Sequence, residues 1–225
     1  MNDLIAYLKE YISEERFKKI ESISANRTNH LTIAVENLYQ SHNMSAVLRT
    51  IECLGVQNVH IIENSFQYQI NKEVSMGSDK WLTLHRYNGE ADNTQACLRH
   101  LKQQGYKLVA TMPSEKDTMI DDIDISMPTA FVFGTELLGL SQEAIAMADE
   151  FVKIPMYGFT ESYNISVSVA LTMMNVCQRL RKSDINWRLS DNELLALRLE
   201  WVKKSIKDVD GILKRYNEQN VSKQK

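Results

Sequence analysis

The chain is poor in the features that mark several large protein classes. It has three cysteines in 225 residues, Cys53, Cys97 and Cys177. They are odd in number and far apart, which argues against a disulfide framework and against a thiol metal site. Each lies in an apolar stretch and reads as a reduced core thiol. There is no excess of basic charge: 26 Lys+Arg stand against 29 Asp+Glu, a formal net charge of −3. A uniformly basic nucleic-acid coat is excluded, so any RNA or DNA contact must be made by local patches. No apolar run approaches the ~18 residues of a membrane span. Met1-Asn2-Asp3-Leu4 carries neither a basic n-region nor an apolar h-region, so no secretory signal is expected. These absences describe a cytoplasmic protein with no metal and no membrane partner. What is present is ordinary for a globular protein, 44% hydrophobic and 24% charged residues, in a length that suits one domain with appendages.

Leu4, Leu8, Ile12, Phe17 and Ile20 recur at roughly helical spacing and predict an N-terminal helical segment, closed by the connector Ser24–Asn29. Strands and helices then alternate. Strands are expected at 31–35, 59–62, 81–84, 106–111, 129–133 and 151–154. Helices are expected at 44–54, stopped by Gly55, at 92–101, at 141–148 and at 166–180. In the last of these Val167, Ala170, Leu171, Met174 and Cys177 predict the buried face. Continuous apolar strands between helices predict an α/β fold, a mostly parallel sheet flanked by helices. Ligands of such sheets sit beyond the carboxyl ends of the strands. Residues 63–80 show no period and read as a long, functional loop. After a capping box at Ser190–Glu193, Leu195, Leu199, Val202, Ile206, Val209, Leu213 and Tyr216 form a heptad-like stripe on one long helix. The divisions are a helical extension over 1–28, a core over 29–183 and a second helical extension over 184–225.

Several catalytic motifs are missing. Gly134-Thr135-Glu136-Leu137-Leu138-Gly139-Leu140-Ser141 has P-loop spacing, but Leu140 stands where the lysine belongs, so nucleotide hydrolysis is rejected. No G-x-G-x-x-G, H-E-x-x-H or G-x-S-x-G occurs. His60 falls in a strand and reads as a satisfied, partly buried residue. Three polar clusters remain, each at a strand end. They are Asn43–Thr50, where Asn43 suits a helix N-cap as well as a functional role, then Gly134 with Glu136, then the Gly- and Ser-containing loop 154–167.

Asn43-x-x-Ala46-x-x-Arg49-Thr50, Phe133-Gly134-x-Glu136-x-x-Gly139-Leu140-Ser141 and Ile154-Pro155-Met156-x-Gly158-x-x-x-Ser162-x-Asn164-x-Ser166-Val167 resemble the three signature motifs of the SPOUT RNA methyltransferases. Within that family they look most like the tRNA guanosine-2′-O-methyltransferase (TrmH) group, as do Gly77-Ser78-x-Lys80-Trp81 and Gln178-Arg179-Leu180-Arg181. The resemblance runs from about Leu31 to Arg181. It implies a C-terminal trefoil knot, a homodimer and S-adenosyl-L-methionine as cofactor. Thr111, Gly134, Ile154 and Tyr163 would line the cofactor pocket, largely through backbone atoms. Asn43, Arg49, Glu136, Ser162 and Asn164 would form the catalytic rim. Tyr163 stands where the group commonly has leucine.

The implied activity is 2′-O-methylation of ribose in tRNA, at a D-loop guanosine. The alternatives are a ribosomal-RNA 2′-O-methyltransferase and a catalytically silent RNA-binding module on the same fold. The in-line displacement needs a positioned hydroxyl and help in removing its proton. Arg49 would serve either as the base that the family proposal names or as an electrostatic stabiliser of the alkoxide. With a net charge of −3, tRNA contacts are expected on basic segments flanking the core: Arg16, Lys18, Lys19 and Arg27 before it, Lys80 in the long loop, and Arg179, Arg181 and Lys182 after it.

Overall fold

The computed structural model describes all residues except 39, 66, 70, 113–117, 136–137 and 224–225; the side chains of 72 and 219–223 also lie outside the description. In chain order the helices are α1 (Asn2–Lys9), α2 (Glu14–Ser24), α3 (Ser41–Leu54), α4 (Lys72–Ser75), α5 (Asn93–Gln103), α6 (Gln142–Met147), α7 (Ile165–Lys182), α8 (Asp191–Ser205) and α9 (Val209–Lys223). The strands are β1 (Leu31–Glu36), β2 (Asn58–Ile62), β3 (Thr83–Tyr87), β4 (Lys107–Thr111), β5 (Thr118–Met119), β6 (Thr129–Phe133) and β7 (Glu150–Lys153). The chain divides into two compact units, Thr28–Trp187 and a second built from both ends, Met1–Arg27 with Arg188–Lys225.

The larger unit is one sheet in the order β3-β2-β1-β6-β4-β7-β5, with every pair parallel. Its central strands read as unbroken apolar runs because both faces are covered. Alternation is still present in residue size. Leu31, Ile33, Val35, Phe131 and Phe133 pack into one core with α3 and α7. Ala34, Ala130 and Val132 face a second core, with α5 and α6 on it. Large side chains therefore fill one layer, while small ones let helices approach on the other. Local chemistry fixes the helix ends. Asp92 accepts the Gln95 N–H at 2.9 Å, Ser141 accepts the Ala144 N–H at 3.1 Å, and Gly55 closes α3 at φ 78°.

Four sequence expectations are corrected. The strand expected at 81–84 begins at Thr83, because Trp81 closes a 3₁₀ turn, Ser78–Trp81. The tail is two helices, not one. Ile206 is extended at φ −101°, ψ 131°, and Asp208 accepts the Gly211 N–H at 3.4 Å as a fresh N-cap. Among the described residues of this tail Leu197, Trp201, Val202 and Ile212 are buried, and of the heptad stripe only Val202 is one of them. In α7 the buried face is Ile165, Val169, Thr172, Met173, Val176, Cys177 and Leu180, whereas Val167, Leu171 and Met174 stand 42–49% exposed. The helix carries two apolar stripes: of the five positions read from the sequence Cys177 is buried, while Val167, Leu171 and Met174 lie on the open stripe. Cys97 and Cys177 are buried thiols, but Cys53 is exposed; burial pushes Cys177 up to about 12.

His60 is buried. Its ring bonds the Tyr87 hydroxyl at 3.1 Å and stacks on His85 at 4.6 Å. Burial, reinforced by His85 and His100, pulls its imidazole down to about 3, so it is a neutral core group. The 63–80 segment is tied down by a forked pair. Arg86 donates to both Glu63 oxygens, at 2.9 and 2.6 Å, and Glu63 also accepts the Tyr68 N–H at 2.6 Å. Burial works to raise the Glu63 carboxyl, but Arg86 and the Tyr68 N–H outweigh it and hold it below the usual range.

In the unit made of the two chain ends, α8 packs on α1 and α2. Arg198 donates to the Ser24 hydroxyl at 3.0 Å, and the Tyr7 and Tyr216 rings lie 4.9 Å apart. Among the described residues no helix is long and apolar enough to cross a membrane.

Candidate active site

Strands β4, β6 and β7 end side by side, and a cavity of about 390 Å³ opens beyond their carboxyl ends. That volume lies within the ~300–1,000 Å³ of small-molecule sites. Thr111 and Met112 follow from β4, Gly134 and Thr135 from β6, and Val152 and Ile154 from β7. Leu138, Gly139, Met156, Glu161, Ser162, Tyr163, Ile165 and Ser168 complete the lining.

Two loops wall the cavity. Thr135 and Gly139 exchange both backbone hydrogen bonds at 3.0 Å, which folds the first loop into a tight turn. Gly139 takes φ 67°, the left-handed region. A Cβ on Gly134 would lie 2.1 Å from the Gly139 carbonyl oxygen, so no side chain fits at that position. The second loop, 154–164, is fastened by the Tyr163 hydroxyl, which donates to the Pro155 carbonyl at 3.2 Å. Its Tyr157 and Phe159 side chains are fully exposed.

The rim joins two helix starts. Asn164 is the N-cap of α7 and accepts the Ser166 N–H at 2.9 Å and the Ser166 hydroxyl at 2.6 Å. Its amide nitrogen donates to Asn43 Oδ1 at 3.3 Å. Asn43 is not the N-cap of α3. That position is Gln40, and Asn43 lies buried in the first turn, donating to Gln40 Oε1 at 2.9 Å. The capping reading of Asn43 is therefore corrected: the helix starts three residues earlier than that reading implies, and the side chain ties α3 to the loop before α7.

Thr111, Gly134, Ile154, Tyr163 and Ser162 are brought to one cavity. Asn43 and Asn164 meet beside it. Arg49 is exposed on α3 and is not among the described lining residues. Glu136 lies outside the described residues.

The cations expected to flank the core fall into three groups. Arg16, Lys19 and Lys182 are exposed, and Lys18 is exposed within an ion pair to Glu14 at 2.8 Å. Lys80 is exposed beside Trp81, its ammonium 5.1 Å from the ring centroid. Arg179 and Arg181 hold backbone. Arg179 donates to the Ile120 and Ile123 carbonyls at 3.0 and 2.6 Å. Arg181 donates to the Leu54 carbonyl at 2.9 Å and lies over Trp187. Arg27 is corrected outright: it is 1% exposed, with its guanidinium 5.0 Å from the Trp201 ring centroid. A group so enclosed has no surface to offer a phosphate.

Sequence reasoning did not assign Met112, Thr135, Leu138, Gly139, Val152, Met156, Glu161, Ile165 and Ser168 to the lining. The strand-end rule was enough to find Met112, which directly follows the expected strand 106–111, while Thr135 and Val152 each lie two residues from the carboxyl end of an expected strand. Ser168 was hidden inside a helix, where no local signal marks the cavity-facing side.

The profile of the SpoU rRNA Methylase family matches residues 30–174. A tRNA (guanosine(18)-2′-O)-methyltransferase of Borreliella burgdorferi is 42% identical over 92% of this chain and 94% of its own. The Aquifex aeolicus TrmH/SpoU tRNA modifying enzyme superposes with a TM-score of 0.75 at 29% identity, over 85% of this chain and 96% of its own. A SpoU methyltransferase of Streptomyces viridochromogenes, solved in complex with the cofactor AdoMet, shares the fold with a TM-score of 0.60 at 21% identity, over 70% of this chain and 63% of its own.

Proposed function

The chain belongs to the SpoU methylase family, and from that premise we propose that it is the enzyme that 2′-O-methylates guanosine 18 of tRNA, as its Borreliella relative is named. The observation that carries this reading is the cavity at the ends of β4, β6 and β7, built from the residues of two signature loops. S-adenosyl-L-methionine is the methyl donor. The cavity suits it: Leu138, Val152, Ile154, Met156 and Ile165 offer apolar walls for an adenosyl group, and the missing side chain at Gly134 leaves backbone within reach of it. When bound, the sulfonium supplies a methyl group already activated for transfer.

The chain's own residues then have to place one ribose hydroxyl in line and help its proton leave. Ser162, Asn164 and Asn43 hold the ribose side of the rim, and Glu136, which lies outside the described residues, is kept in the catalytic set on its motif alone. A guanidinium keeps its proton in ordinary conditions, so Arg49 acts by stabilising the developing oxyanion while the 2′-hydroxyl proton passes to water.

The exposed stripe Val167, Leu171 and Met174 on α7, at spacings of four and three, supports a homodimer whose second copy covers it. Leu171→Glu should yield a monomer in light scattering; a variant that stays dimeric places the interface elsewhere. The sheet order, with β6 between β1 and β4 and β7 on the other side of β4, suits the trefoil knot of the family. A crystallographic trace in which no loop encircles the chain after β7 would remove it. We also retain the three divisions 1–28, 29–183 and 184–225 and a cytoplasmic location; fractionation of cell extracts tests the latter.

For tRNA contact the exposed lysines are the cleaner candidates, since Arg179 and Arg181 also hold backbone. Replacing Lys80 and Lys182 with Gln should weaken tRNA binding. The log–log salt slope should become shallower by roughly 0.7–0.9 per lost phosphate contact, with S-adenosylmethionine binding unchanged. A wild-type slope would take both lysines off the RNA surface.

The function itself is tested by mapping 2′-O-methyl groups in total RNA from cells with and without the gene. Loss at a tRNA guanosine with ribosomal RNA unchanged is expected. Loss confined to ribosomal RNA would replace the substrate, and no loss together with intact cofactor binding would mark a silent RNA-binding module.

A further inference from the structure

We propose that Glu36 is the positioning residue of the cofactor wall: its carboxylate, at the end of β1, sets the Gly134–Ser141 loop against the cavity. The proposal rests on the reading of that cavity as the S-adenosylmethionine site. Glu36 is 2% exposed and pairs with Ile62 in the last register of β1 and β2. The preceding residue, Val35, pairs with Phe133, so Glu36 lies level with Gly134, where the loop departs.

Its contacts run to the far end of that loop. Glu36 Oε2 accepts the Ser141 backbone N–H at 2.9 Å, and Oε1 accepts the Ser141 hydroxyl at 2.7 Å. Oε1 also accepts the Thr94 hydroxyl of α5 at 2.5 Å. Both hydroxyls are used as acceptors by other groups. Ser141 Oγ receives the Ala144 N–H at 3.1 Å, and Thr94 Oγ1 receives the Asn64 amide at 2.8 Å. Each hydroxyl proton is therefore directed at Glu36, and the Ser141 N–H has no alternative orientation. The pocket around Glu36 presents three donors and demands an acceptor at both oxygens, which a carboxylate supplies and an amide does not.

The loop between its two anchors contributes Gly134, Thr135, Leu138 and Gly139 to the cavity. One anchor is the Thr135–Gly139 backbone pair. The other is Glu36, whose carboxylate holds the loop through Ser141. Opening that second anchor should loosen the wall in the unliganded protein and leave Ser162, Asn164, Asn43 and Arg49, which stand on other elements, in place; saturating cofactor then restores the loop.

The test is Glu36→Gln in the full chain, read three ways. Amide hydrogen exchange without cofactor should quicken over 138–141. The Kd and KM for S-adenosylmethionine should rise about tenfold or more, as expected for a buried donor left facing another donor. The kcat at saturating cofactor and the KM for tRNA should stay within roughly threefold, a split that a general loss of stability does not produce. Unchanged loop exchange with a wild-type Kd for S-adenosylmethionine would overturn the proposal. So would an equal fall in kcat with no change in either KM.

Should Glu36→Gln fail to fold, Ser141→Ala and Thr94→Val decide the matter. Ser141→Ala should reproduce the weaker cofactor binding, whereas Thr94→Val should lower Tm and leave the Kd unchanged. Wild-type cofactor binding in Ser141→Ala would overturn the proposal. If the unaltered protein itself binds no S-adenosylmethionine, the reading of the cavity falls. The exchange of 138–141 in Glu36→Gln still decides whether the carboxylate holds the loop.

Discussion

Arg49→Ala is expected to abolish methyl transfer, lowering kcat by roughly 10²–10³-fold or more, while the Kd for S-adenosylmethionine stays at its wild-type value. The reason is separation of roles. Arg49 projects from α3, exposed and outside the described lining of the cavity, so its loss leaves the cofactor walls intact. Single-turnover transfer to tRNA measures the first quantity and calorimetric titration the second. A variant with near-normal turnover removes Arg49 from the reaction. One that loses cofactor binding moves it to the other side of the site. Arg49→Lys separates mechanisms further: a lysine that restores much of the rate indicates a simple positive charge at the developing oxyanion. A dead lysine variant indicates that the planar fork is required.

Gly134→Ala should be nearly as damaging, through the other half of the site. The added Cβ would sit 2.1 Å from Gly139 O, 2.2 Å from Gly139 C and 2.4 Å from Leu140 N. All three are backbone atoms, which cannot swing aside as the end of a flexible side chain can. The Thr135–Gly139 turn must open, and the loop then leaves the cavity it lines. Overpacking of this kind costs about 1–3 kcal/mol even in cores that partly relax. Concentrated on the cofactor wall, it should weaken S-adenosylmethionine binding by roughly 10- to 100-fold. Equilibrium binding on a variant verified as folded by circular dichroism measures the effect. Wild-type affinity would show that the Gly134 loop is not a wall of the cofactor site.

Much of this site is legible in the sequence. Ser141, Asp92 and the Ser190 box act within three residues of themselves, so their caps follow from sequence alone and are found in place. The strand ends were also readable, because an apolar run followed by Gly134 or Pro155 has to stop there, and in parallel sheets those stops mark the ligand side. Asn43 shows where such reasoning runs out. Its local pattern fitted an N-cap, yet the helix begins at Ser41 and the side chain serves Asn164, 121 positions away. Arg27 and Arg179 fail in the same direction: a cation in sequence looks solvated until the fold closes over it or gives it carbonyls.

The sequence by itself determined the alternation of strands and helices, the parallel sheet, and the three motifs that mark the family. These depend on periods of two and 3.6 residues and on short-range caps, all of which a linear chain displays. Only the tertiary structure decided which stripe of α7 is buried, since Val169 and Leu171 are equally apolar and only the sheet beneath the helix distinguishes them. It also decided that the heptad-like tail breaks at Ile206 and that Glu36, a charged residue ending an apolar strand, meets Ser141 across 105 positions. Contacts of that range have no signature in neighbouring residues. They arise when strand order brings remote segments together and a buried carboxylate must find donors wherever the fold supplies them.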